Sequence, residues 1–173
     1  MLLDEISKRI HMTIGTVFFI GYFPKMPGTI ASLVAALVWY LVPYYRYYNP
    51  IESTVHVDSF FIVLLLISLL FIAGVASSKE LEALYGKDSP KIVIDEVVGY
   101  FIAILFLPKT TMVVFYAFIL FRLFDIFKPF GIKKLEKIPN GFGVMLDDVA
   151  AGILANLVIQ LIRIIRPEFL YLI

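Results

Sequence analysis

Apolar residues in this chain come in long runs, at 28–42, 60–76, 92–107 and 147–165, with a fifth at 112–127 interrupted by Arg122 and Asp125. Each is long enough, or nearly so, to cross a hydrocarbon core, which takes about 20 residues. A segment in such a core has no water to bond its backbone, so these runs predict helices. Polar and Pro/Gly-rich stretches separate them. Pro24 and Pro27–Gly28 precede the first run, and a Tyr-rich loop lies between Pro43 and Pro50. Residues 77–91 are polar, residues 108–111 form a tight turn between two helices, and 129–143 is basic and contains glycine. The stretch 10–23 is apolar but short, and it predicts a re-entrant or interfacial helix. The expected fold is all-α: an integral membrane helical bundle of about five spanning helices plus that short N-terminal helix. Its 173 residues fit one domain, residues 1–173.

Composition supports a lipid environment. The chain is 61% apolar and 17% charged, with a mean hydropathy of +0.92. Soluble domains average about 45–50% apolar and about 25% charged. A net charge of +1 with no basic stripe gives no reason to expect nucleic acid. The absence of cysteine excludes disulfides, thiolate metal sites and a cysteine nucleophile. His11 and His56 are far apart and outside every cluster described below. Residues 12–23 resemble a signal-peptide core, but Asp4 and Glu5 flank them and no convincing small-residue cleavage site follows.

Lysine and arginine set an orientation. If the helix breaks alternate sides, Arg46, Lys109, Arg163 and Arg166 share one side and the remaining 11 of the 15 basic residues share the other. The richer side is then cytoplasmic. Lys8, Arg9 and Gly28 all lie there, so 10–23 must enter and leave from one face.

The informative residues are acids inside or beside apolar runs, because charge there is costly and marks function. Asp95 and Glu96 start one run, and Asp125 lies near the end of the next. Across the Pro108 turn those positions share one depth. Asp147 and Asp148 open the last run, entered from the same side. Helix capping or a salt bridge accounts for one such acid; five at one depth must be partly protonated or neutralised by cations. Carboxylate-only ligation favours Mg²⁺ before Ca²⁺, with Mn²⁺ possible, whereas zinc would want His or Cys. Arg122 and Lys128 lie three residues either side of Asp125 and form a clamp suited to phosphate oxygens. Thr29 and Ser32 share a face at a helix start, where free N–H groups favour anions; capping explains Thr29 equally well. Gly74 and Gly99 read as helix-contact positions. Lys133, Lys134 and Lys137 would attract anionic lipid, although ordinary positive-inside topology also explains them.

Four strings carry a family resemblance. They are Pro27-Gly28-Thr29-Ile30-Ala31-Ser32-Leu33, Asp95-Glu96-Val97-Val98-Gly99, the segment from Phe121 through Arg122, Asp125 and Lys128 to Pro129, and the segment from Gly143 through Asp147-Asp148 to Gly152. In this order they resemble the phosphatidylglycerophosphatase A family over about 10–165. Ala31 stands where a glycine is usual, and Gly131 where a proline is usual. The resemblance implies a Mg²⁺-dependent phosphatase at the bacterial inner (cytoplasmic) membrane. Its substrate would be the anionic phospholipid phosphatidylglycerophosphate, and its core a central helix surrounded by others. The expected metal ligands are Asp95, Glu96, Asp125, Asp147 and Asp148, with Asp95, Glu96, Asp125 and Asp148 catalytic. Arg122, Lys128, Thr29 and Ser32 would bind phosphate at the cytoplasmic face. The alternative is an ion-coupled membrane transporter, but the acids gather at one face and no inverted repeat is visible. A headgroup transferase would need the Asp-Gly-x-x-Ala-Arg pattern, which is absent.

Overall fold

The computed structural model describes residues 2–41, 48–49, 54–55, 57–87 and 89–171. The first helix, α1 (Leu2–Gly15), carries Asp4 and Glu5 in its first turn. It starts well before the apolar stretch at 10–23 and stops inside it, so that stretch is not one re-entrant helix. Val17, Phe18 and Phe19 take positive φ of 48°, 51° and 70°. The chain turns there and continues as a 3₁₀ segment, Ile20–Tyr22. This N-terminal arm is fastened to the residues just ahead of the central helix. Val93 N–H donates to Gly15 O at 2.9 Å, and a Cβ on Gly21 would collide with the Lys91 carbonyl. Tyr22 and Tyr85 join hydroxyls at 2.7 Å, and the Lys91 ammonium lies over both rings.

Helix α2 (Pro27–Leu41) opens with proline, whose fixed φ and missing N–H suit a first helical position. A two-residue antiparallel pairing follows, β1 (Tyr48–Asn49) with β2 (Thr54–Val55). Helix α3 (Val57–Tyr85) runs through Ser77 and Ser78, where a break was expected. Both serines are fully buried, and the following residues, Lys79-Glu80-Leu81-Glu82-Ala83-Leu84, are strong helix formers. The helix stops at Gly86, at φ 91°, a conformation glycine adopts without strain.

Helix α4 (Ile94–Ile104) is central: it touches α2, α3, α5 (Thr111–Phe127) and α6 (Phe142–Ile165). Val98, Tyr100, Ala103 and Ile104 are fully buried. Two glycines let α4 and α6 approach closely. A Cβ on Gly152 would strike the Gly99 carbonyl, and one on Gly99 would lie 2.8 Å from the Asp148 carbonyl. Gly74 is likewise a contact position, with Met145 Cε 2.6 Å from where its Cβ would be. Helix α4 ends after 11 residues, earlier than its apolar run. The reason lies on α6: the Asn156 amide donates to the carbonyls of Ile102, Ala103 and Leu105 at 3.2, 3.1 and 2.6 Å. One side chain thus satisfies backbone groups that the helix end leaves bare. A short helix, α7 (Glu168–Tyr171), completes the described chain.

Among the described residues, two helices are long and apolar enough to cross a membrane, Phe61–Tyr85 and Phe142–Ile165. Only 22% and 28% of their most apolar windows are buried, whereas the core helix of a soluble protein would be mostly covered. Leu65, Leu69 and Ile72 on α3, and Leu157, Leu161 and Ile164 on α6, are exposed. An outward apolar surface of this extent marks a membrane-associated protein. The other three apolar runs make shorter helices, of 15, 11 and 17 residues for α2, α4 and α5. At about 1.5 Å per residue none reaches the roughly 30 Å of a hydrocarbon core. Only α4 falls clearly short of its apolar run at 92–107; α2 and α5 match theirs to within a residue, so those runs were short from the start.

Candidate active site

The ends of four helices meet at one place. Asp95 and Glu96 lie in the first turn of α4, Arg122 and Asp125 in the last turns of α5, and Gly28 in the first turn of α2. Asp147 and Asp148 belong to the second turn of α6, not its start, because α6 begins at Phe142. They therefore do not cap that helix. Its N-cap is Gly141, in the left-handed region with φ 76° and no side-chain bond.

The five acids divide into two sets. Asp95, Glu96 and Asp148 each offer a carboxylate oxygen, and these oxygens lie within 4.8 Å of one another. Asp95 Oδ1, Glu96 Oε2 and Asp148 Oδ2 are buried and accept no hydrogen bond. Buried carboxylates packed together without partners call for a cation or for protons. Around a Mg²⁺ at about 2.1 Å, ligand oxygens stand about 3–4 Å apart. The all-oxygen trio therefore fits a hard divalent ion after small side-chain adjustments. Glu96 also approaches α2: a Cβ at Gly28 would overlap Glu96 Oε1, so only glycine lets that carboxylate reach the helix start.

Asp125 and Asp147 are engaged by cations. Arg122 Nη1 is 2.6 Å from Asp125 Oδ2 and 3.7 Å from Glu96 Oε1. The first is an ion pair out of line for a hydrogen bond, and both Nη1 and Nε of Arg122 are buried without a hydrogen-bond acceptor. Lys128 Nζ donates to Asp147 Oδ2 and to Glu136 Oε1, the latter at 2.7 Å. Burial alone would lower the Lys128 pKa, but these hydrogen bonds outweigh it and hold it well above the ordinary lysine value. The guanidinium and ammonium thus flank the trio as permanent positive charges.

The two hydroxyl candidates fare differently. Ser32 is fully buried, and its hydroxyl donates to Gly28 O at 2.9 Å, so its proton is spent inside α2. Thr29 sits half-buried in the first turn of the same helix. Glu136, which the sequence reading passed over, is the one acid in the Pro129–Lys137 3₁₀ segment, among Lys133, Lys134 and Lys137. Gly131 in that segment has φ 85°, a backbone angle closed to the proline usual there.

A helical membrane-associated fold with a buried carboxylate trio between two fixed cations is suited to phosphate chemistry. Comparison with known proteins agrees. The family model described as phosphatidylglycerophosphatase A matches residues 13–163. A Haemophilus influenzae phosphatidylglycerophosphatase A is 42% identical over 162 residues, covering 92% of this chain and 91% of its own. An Escherichia coli K12 protein of the same name is 28% identical over 164 residues, covering 88% and 86%. A Bacteroides thetaiotaomicron protein, provisionally named a phosphatidylinositol-3-phosphatase, is 35% identical over 157 residues, covering 89% and 94%. No solved structure matches the chain. The chain belongs to the phosphatidylglycerophosphatase A family and is a phosphatase. Nothing in these findings supports the transporter alternative.

Proposed function

We propose that this enzyme hydrolyses the terminal phosphate monoester of phosphatidylglycerophosphate, giving phosphatidylglycerol and inorganic phosphate, with Mg²⁺ as cofactor and Mn²⁺ as a substitute. The observation that carries this reading is the carboxylate trio of Asp95, Glu96 and Asp148, each with one buried oxygen that has no hydrogen-bond partner, beside Arg122 and Lys128. When bound, Mg²⁺ supplies a Lewis acid for phosphate oxygens and lowers the pKa of a bound water. Arg122 and Lys128 hold the non-bridging phosphate oxygens and offset charge as the bond to phosphorus breaks. A trio oxygen not used for the metal accepts the proton of the attacking water. Water oxygen joins phosphorus, the bond to the glycerol oxygen breaks, and that oxygen takes a proton to become the alcohol. Asp125 and Asp147 keep the two cations in place and would be further ligands for the ion.

The family's membrane setting and the exposed apolar faces of α3 and α6 support a multi-pass arrangement of about five helices at the bacterial inner membrane. The acyl chains stay in the bilayer while the phosphate enters at the cytoplasmic face. The short helices α2, α4 and α5 cross by using polar ends and local thinning of the bilayer.

The test is phosphate release from phosphatidylglycerophosphate by detergent-purified protein, with Mg²⁺ and with EDTA. The expected outcome is release that needs Mg²⁺ and returns, wholly or in part, with Mn²⁺. Well-folded protein that binds Mg²⁺ but releases nothing would remove the substrate assignment. The Bacteroides relative's name supplies a second substrate for the same assay, phosphatidylinositol 3-phosphate, which is expected to turn over more slowly.

A further inference from the structure

We infer that Glu136 is a positioning residue for phosphate binding: it holds the Lys128 ammonium so that one N–H stays free for a substrate oxygen. The inference rests on the proposed role of Lys128 above. An ammonium has three N–H groups. Asp147 Oδ2 and Glu136 Oε1 accept two of them, which leaves the third. Lys128 closes α5 in the left-handed conformation, with φ 44°, so its backbone is fixed but its four-carbon stem is not. Without Glu136 the stem would be tied to Asp147 alone, one residue from Asp148 of the trio. The ammonium could then settle on the trio and compete for the oxygens that a metal would use.

Glu136 is itself held firmly. The chain turns sharply at Phe130 and Gly131, with φ 57° and 85°, and the buried Ile132 anchors the segment. A Cβ on Gly143 would lie 2.7 Å from the Glu136 carbonyl and 2.6 Å from that of Ile138. The segment therefore lies flat on the first turn of α6, the helix that carries Asp147 and Asp148. A carboxylate fixed from outside the cluster sets the lysine's direction while the lysine remains the group that touches phosphate. Lys133, Lys134 and Lys137 in the same segment have no such partner within the site.

The experiment compares wild type, Glu136→Gln, Glu136→Asp, Lys128→Met and the Glu136→Gln/Lys128→Met double variant. Two quantities are read: kcat/KM for phosphatidylglycerophosphate and the inhibition constant of inorganic phosphate. The second does not depend on how much protein is folded. Glu136→Gln is expected to lower kcat/KM about 10–100-fold, as lost outer partners do, and to weaken phosphate inhibition in step. Glu136→Asp should recover part of both, and the double variant should match Lys128→Met alone. Unchanged phosphate inhibition in Glu136→Gln would overturn the inference, and so would losses that multiply in the double variant. Wild-type kinetics in Lys128→Met would instead remove the phosphate role of Lys128, and this inference with it.

Discussion

The two ends of the α4–α6 pair treat buried polar groups in opposite ways. At the far end, the two N–H groups of the Asn156 amide are shared among the carbonyls of Ile102 and Ala103 in α4 and of Leu105 just past it. At the near end, carboxylate oxygens of Asp95, Glu96, Asp147 and Asp148 stay buried without a hydrogen-bond donor. The same two helices supply both. Buried carboxylate oxygens left without donors at one end of a helix pair whose other end is bonded are suited to a ligand. Unsatisfied charge, and not charge alone, distinguishes a site from a structural network.

That contrast can be broken at either end. The largest effect is expected from Asp95→Asn and Asp148→Asn, which remove ligands but keep shape. Phosphate release should fall about 10³-fold, the several kcal/mol that a metal centre supplies, while thermal unfolding in detergent stays close to wild type. Normal turnover in both variants would end the carboxylate-centre reading. Next comes Gly152→Ala, which sets a methyl against the Gly99 backbone, where no side chain can swing away. A loss of about 1–3 kcal/mol is expected, seen as a lower unfolding temperature together with reduced activity, because the same crossing aligns Asp95 with Asp148. Asn156→Leu should cost about 1–2 kcal/mol by baring the α4 carbonyls, with Mg²⁺ affinity unchanged. A large fall in Mg²⁺ affinity would show that the two ends are not independent. The smallest effect belongs to Tyr22→Phe, which deletes one exposed hydroxyl pair with Tyr85. At most about 1 kcal/mol and wild-type kinetics are expected.

The near end was largely legible in the sequence, because acids in apolar runs stand out and the four strings fix their order. Where Asp147 and Asp148 sit was not. An apolar run says nothing of the turn before Asp147, so α6 looked as if it began at the acids. The partition of the acids was also hidden. Asp125 pairs with Arg122 three residues away, which spacing suggests, but Asp147 pairs with a lysine 19 residues away. That lysine is directed by a loop whose path depends on positive φ at Phe130 and Gly131. Helix lengths were misjudged for a related reason. Hydropathy reports which residues tolerate lipid, whereas the ends of α3 and α4 are set by Gly86 and by Asn156, one of them on another helix. Asn156 itself stands in the sequence as an amide within an apolar run, a signal of interhelical bonding.

The Asn156 contact also bears on the order in which the molecule can mature. Synthesis runs from the N-terminus, so α4 leaves the ribosome about fifty residues before the amide that seals it. Until α6 arrives, the end of α4 has exposed carbonyls and the start of α4 has two carboxylates with no third. Closing the one end and completing the other then happen in a single docking step. A nascent chain that stalls before α6 is both unsealed and inactive, and a chain that reaches the sealed state has assembled its chemistry at the same moment.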